Sequence, residues 1–356
     1  MPAYCIFNVL RCRMLAIARP SDSQLPFNPF YWRPIRRARH PIAAELCAAL
    51  GLGLLFLVPH LITSWRMMFR DLSWMVGVLI FSATSLLYYA TFTLINTIAE
   101  VEARTLPQAR KLYTKPLRFW LSDYQFVLAG IFFGALNCIV GYSFGVPYTT
   151  WSSKLTIFFG FFLAGFVSGI AAYSLIGVAG FVRGFVASDP ILDYREPDKC
   201  AGLSFLGEAL VKFGLANLIM GVLISLYIVF APWAHVDRVL VRAMRWIWLG
   251  FPFFISLGHL LGLGTVVHLL LQRYKTQMQQ ALSARVRAVR GKIQAASVVN
   301  RTLREELEYE LKLQGELYRM NTWPFTFGST VHYAIGFFVD AVPAYLGALK
   351  LIKEAH

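Results

Sequence analysis

Six stretches of this chain run for twenty residues or more with at most one charged side chain, and that feature decides the solvent. A helix needs about 20 apolar residues to cross the hydrocarbon layer of a bilayer. The stretches are Ala43–Ile62, Ser73–Ala99, Phe126–Val146, Leu155–Val182, Phe213–Trp233 and Trp246–Leu271. Only 15% of residues are charged, against about 25% in soluble domains. The expected fold is an all-α polytopic membrane protein with six transmembrane helices. Residues 1–41 form a basic lead-in, 42–271 the transmembrane domain, 272–320 a long charged helix, and 321–356 an apolar tail.

Net charge is +15, which in a soluble chain would suggest nucleic acid. Here the basic loops explain it, and no nucleic-acid partner is expected. With the N-terminus cytoplasmic, that side collects 26 lysines and arginines and the other side 6, the asymmetry that sets orientation during insertion. The expected location is a bacterial inner membrane, with the lipid bilayer as the first partner and the 272–320 helix cytoplasmic. All nine tryptophans fall near span ends, where amphipathic rings settle at headgroup level. Ala16-Ile17-Ala18 resembles a cleavage site, but Arg11 and Arg13 break the apolar core that a signal peptide needs. The segment reads as interfacial, with Met14 as an alternative start. The five cysteines form no CxxC pair, so no disulfide framework, zinc site or other cofactor is expected.

Small residues four apart recur in the spans, at Gly130/Gly134, Gly165/Gly169, Gly180/Gly184 and Gly258/Gly262. Lipid gives helices no hydrophobic reward for associating, so close backbone approach must supply it. Gly165 and Gly169 therefore serve either packing within one chain or association of subunits. From Leu282 the apolar positions alternate steps of four and three. One row is Leu282, Val289, Ala296, Leu303, Glu310 and Leu317; the other is Val286, Ile293, Asn300, Leu307 and Gln314, with a defect near Glu310. This heptad seam predicts a coiled coil between subunits, with Asn300 fixing register, or a hairpin bent at Gly291. A homo-oligomer and a cytosolic protein partner held by 272–320 are the expected associations. Asn321–Leu349 is read as a membrane-surface or re-entrant segment rather than a seventh span.

Motifs for chemistry are sparse. Gly141–Gly145 matches GxSxG but ends a membrane helix, where no strand-to-helix elbow exists. Asp189 and Asp193, followed by Glu196 and Asp198, resemble the DxxxD motif of UbiA-type prenyltransferases, without its second copy; Pro190 and Pro197 favour a bent, self-paired acidic loop. Ser168 in the fourth span and His259 in the sixth lie at equal depth. Val167-Ser168-Gly169 and Gly258-His259 partly resemble the rhomboid intramembrane proteases, a likeness that implies a serine activated by histidine. The first glycine of their GxSG is Phe166 here, and no HxxxN element occurs. His259 and His268, nine apart, face opposite sides of a helix and cannot share a metal. Asn96, Asn137 and Asn217 could line a pore. The expected function is a non-enzymatic oligomeric channel subunit or signalling component. The alternatives are an intramembrane serine protease using Ser168 and His259, and a transporter of an apolar or zwitterionic solute.

Overall fold

The computed structural model describes residues 27–145, 148, 150–230, 239–295, 301–325 and 327–353. The cleavage-like Ala16–Ala18 segment, Cys5, Cys12, Ala296 and Asn300 lie outside them. Among the described residues every regular element is helical. The α-helices are α1 (Arg33–Arg37), α2 (Pro41–Arg70), α3 (Trp74–Ala103), α4 (Arg110–Trp120), α5 (Asp123–Phe144), α6 (Trp151–Val186), α7 (Ser204–Phe230), α8 (Val239–Ala295), α9 (Arg301–Tyr318) and α10 (Phe327–Lys353). Six of them, α2, α3, α5, α6, α7 and α8, are long and apolar enough to cross a membrane. They coincide with the six apolar stretches and fit an integral membrane protein.

The helix ends follow local chemistry. Ser122 caps α5 by accepting the Gln125 N–H, and Thr150 caps α6 by accepting that of Ser153. Gly145 closes α5 at φ 74°, a left-handed conformation that glycine adopts without strain. α6 has 36 residues, about 54 Å at 1.5 Å each, so it outruns the ~30 Å hydrocarbon layer. Its last turns pack on amphipathic α4, where a methyl group at Gly184 would stand 2.5 Å from the Leu112 carbonyl oxygen.

α5 and α6 pair through the predicted glycines. A methyl at Gly165 would meet the Phe133 carbonyl oxygen at 2.6 Å, and one at Gly169 that of Ala129 at 2.9 Å. These two glycines are thus spent on contact inside the chain. Gly258 and Gly262, by contrast, have nothing within 4 Å.

The charged tail is a hairpin. α8 passes through Gly291 as helix to Ala295, so the reversal is not at Gly291. α9 returns antiparallel: Lys275 Nζ donates to the Met320 carbonyl (2.6 Å), Gln314 Nε2 to Ser283 Oγ (3.3 Å), and Arg285 pairs with Glu310 at 4.0 Å. Val286 and Val289 are buried, and Ile293, Leu303 and Leu307 half-buried. The heptad rows predict an apolar face every 3.5 residues but not whose helix covers it. Here α9 of the same chain covers it.

The C-terminal segment also differs from expectation. α10 is one unbroken helix that accompanies α7 in the same direction. Pro324 abuts Gly207, Tyr333 abuts Gly214, and Gly336 abuts Leu215. Tyr333 and Ser256 of α8 share a hydrogen bond (2.9 Å), and Ser256 donates to the Gly214 carbonyl (2.8 Å). A surface segment would lie across the spans and a re-entrant one would turn back; α10 does neither. Small residues at 207, 214 and 336 let the backbones approach, which outweighs the polar and proline interruptions of the tail sequence.

Candidate functional site

The fold brings some of the sequence candidates together and separates others. Ser168 of α6 lines a cavity of about 250 Å³ enclosed by α3, α5, α6, α7 and α8. His259 does not line it. Its ring lies edge-on to Phe213 at 6.2 Å with Nε2 buried and unpartnered. No hydrogen bond joins Ser168 to His259 among the described residues, so the pairing that a serine nucleophile requires is not formed. His268 stacks on Trp323 at 4.4 Å, and its Nδ1 hydrogen-bonds the Thr322 carbonyl at 3.0 Å. That contact anchors the start of the tail.

The acidic loop spends its carboxylates internally. Asp193 accepts from the Arg195 backbone and guanidinium at 2.9–3.1 Å. Glu196 pairs with Arg104 at 3.7 Å. Asp198 accepts three backbone amides, from Cys200, Gly202 and Ser204. Asp189 takes a left-handed φ of 46° in the turn after α6. No group of three or more metal-ligating side chains gathers among the described residues. Cys200 is buried against the Trp323 carbonyl; burial, then the nearby Asp198 charge, pushes its thiol up to about 11, which makes it a filler rather than a nucleophile.

The cavity among the spans has room for an apolar ligand. Its wall on α3 runs from Val76 to Leu94, about 27 Å at the helical rise, close to the full hydrocarbon thickness. Ala164, Gly165, Ser168, Ala171 and Ala172 leave space along α6, where larger side chains would fill it. Most polar groups on the wall are already satisfied. Asn137 donates to the Phe161 carbonyl at 2.7 Å, Ser174 to Ile170 at 2.8 Å, and Thr91 to Leu87 at 2.8 Å. Among the described residues Asn217 Nδ2 is buried without a partner, a state that is expensive unless something supplies an acceptor. Asn96 lies elsewhere on α3, so the three asparagines do not form one polar path.

The lead-in closes one end of this space. Phe27 and Tyr31 line the cavity, with Tyr31 sharing a hydrogen bond with Thr91 at 3.1 Å. Phe27 and Tyr31 pack on Phe126 at 6.3 and 5.7 Å. Asp123 holds the segment by accepting the Phe30 N–H at 2.9 Å and pairing with Arg33. The sequence reads this stretch as a surface element. Its alternation of aromatic residues with Asn, Pro and Arg was the only sign of a plug, and nothing in it reveals depth. In comparisons with known proteins, no family model, curated protein or solved structure matches this chain.

Proposed function

We propose that this protein is a bacterial inner-membrane carrier that takes a long apolar chain, acyl or prenyl, into the cavity among α3, α5, α6, α7 and α8. The observation that carries this reading is the cavity itself: about 250 Å³ of space, drawn out over nearly the thickness of the hydrocarbon layer, with an apolar wall. Ligand sites are mostly apolar concavities with a few placed polar groups, and Asn217 Nδ2 is the group that would meet a ligand oxygen. The α8–α9 hairpin and the lead-in face the cytoplasm, in keeping with the distribution of lysine and arginine. An ion pore is supported less well, because ions need a continuous polar lining and Asn137 is already engaged.

The test uses purified full-length protein and a diazirine-bearing fatty acid. Illumination should label residues of the cavity wall, read by peptide mass spectrometry. Ala172→Trp and Ala216→Trp fill the space and should lower that labelling at least tenfold. Leu46→Trp, on the exposed face of α2, should not. Equal labelling in all three variants would overturn the proposal.

A further inference from the structure

Among the described residues, the cavity is lined by no charged side chain. That restricts a ligand's head group more than the volume does. An ionised group drawn into this space would give up its hydration and meet no counter-charge, a costly transfer. The cations that flank the wall do not change this. Lys212, the first cation before Asn217 on α7, pairs with Glu208 at 3.9 Å and does not line the cavity. Arg33 of the lead-in pairs with Asp123, and Arg183, beyond Val178 on α6, is exposed.

The polar groups on the wall divide into engaged and unengaged. Asn137, Ser174 and Thr91 give hydrogens to backbone carbonyls, and Tyr31 is bonded to Thr91. A serine inside a helix either turns its hydroxyl back to the carbonyl four residues earlier or points it at another polar group. Ser174 does the first, bonding Ile170. Ser168 makes no hydrogen bond among the described residues, although it lines the cavity. Asn217 lines the same cavity from α7, with Nδ2 buried and unpartnered. Two donors on two different helices therefore lack an acceptor.

Their depth matters. Ser168 lies 17 residues after Trp151 in a helix of 36, and Asn217 lies 13 after Ser204 in a helix of 27. Both stand near the middle of their helices. The lining continues past them in both directions, from Phe161 to Val178 on α6 and from Phe213 to Tyr227 on α7. A plain hydrocarbon chain would fill that length but leave both donors unsatisfied. A terminal carboxylate would answer them but bring a charge. A carbonyl with an apolar chain on each side meets both conditions: it only accepts, and it is neutral.

We infer that the cavity selects an uncharged lipid with an internal carbonyl, an acyl ester or long-chain ketone, over the corresponding carboxylate or phosphate. Ser168 and Asn217 are the specificity-determining donors. This names the polar group of the ligand in the carrier reading and rests on that reading.

Three photoreactive probes of matched length test it on the full-length protein: the diazirine-bearing fatty acid, its octyl ester and a diazirine-bearing alkane. Labelling of the cavity wall is normalised to that of the exposed face of α2. At about pH 9 the acid is ionised, and the ester should label the wall about tenfold more strongly. Lowering the pH protonates the acid and should narrow the gap, with ester labelling unchanged. The double variant Ser168→Ala/Asn217→Leu should lower ester labelling about tenfold, the ratio set by one hydrogen bond, and leave alkane labelling intact. Its thermal midpoint should not fall, because both substitutions remove groups that lack a partner in the fold. Equal labelling by ester and ionised acid overturns the inference and leaves the carrier reading standing. So does ester labelling that survives in the double variant. Alkane labelling that falls together with ester labelling marks a packing effect and overturns the role of the two donors. Labelling of the wall by none of the three probes, or labelling insensitive to Ala172→Trp, overturns the carrier reading itself.

Discussion

Asp71 and Asp198 sit at opposite ends of the bundle, each just ahead of a membrane helix, and each accepts the amide two residues further on. There the likeness ends. Asp198 also accepts the amides of Gly202 and Ser204, both at 3.0 Å. The loop wraps around it through left-handed turns at Lys199, Ala201 and Gly202. Burial pushes its carboxyl up, but the three amides at the start of α7 outweigh that and hold it below the ordinary carboxylate range. Backbone amides cannot titrate, so Asp198 is a fixed cap. Asp71 relies on one side-chain hydroxyl, and beyond that hydroxyl stands a histidine. The same residue type at the same offset gives a joint held by three backbone amides on one face, and on the other a joint held by the Tyr148 hydroxyl, which stands 3.2 Å from His60 Nε2.

The largest expected effect comes from removing the hydroxyl. Burial, reinforced by the hydrogen bond to Asp71, holds the Tyr148 phenol above its ordinary value, so it is a standing donor. Tyr148→Phe leaves a buried carboxylate short of that donor and should cost about 3 kcal/mol of stability at pH 7. Asp198→Asn should cost less, about 1 kcal/mol, as for other lost helix caps. Asp198 also carries a pH signature. A depressed carboxyl contributes stability that is present above the unfolded value near pH 4 and lost as pH falls through the folded one. The wild type should therefore lose thermal midpoint below about pH 4 faster than Asp198→Asn does. A Tyr148→Phe protein as stable as Asp198→Asn would erase the distinction between the two sites.

The sequence shows one of these carboxylates better than the other, and for the wrong reason. Asp198 stands in a visible cluster with Asp189, Asp193 and Glu196, so it draws the eye as a ligand for metal or phosphate. Clustering in sequence says nothing about whether the carboxylates converge, and here Asp193, Glu196 and Asp198 each turn to a different internal donor. Asp71 sits in a short turn, His60 lies in an apolar run, and Tyr148 is 77 residues beyond Asp71. Only helix packing brings them together, and periodicity does not encode it. The spans themselves were legible because uncharged length is a one-dimensional property. The α5–α6 contact was half legible: glycines four apart announce a close approach at Gly165 and Gly169, but not which helix approaches. The cavity was invisible, since the alanines, Ser168 and Gly165 that leave it open read equally well as packing residues.

The smallest effect is expected at Asp193, and it is informative for that reason. The Arg195 side chain, then its backbone N–H, holds the Asp193 carboxyl below its ordinary value, but the pair is exposed to solvent. Exposed pairs of this kind contribute little to stability. Asp193→Ala should leave the thermal midpoint and the fatty-acid labelling of the cavity unchanged. Were labelling by a diphosphate-bearing prenyl probe to fall in Asp193→Ala while the midpoint stayed fixed, the loop would be recognising a head group. The ligand's polar end would then lie at the loop between α6 and α7, and Asn217 would no longer be needed to meet it. Unchanged labelling keeps Asp193, Glu196 and Asp198 in the role their geometry gives them, carboxylates engaged within the fold, and leaves recognition to the apolar wall.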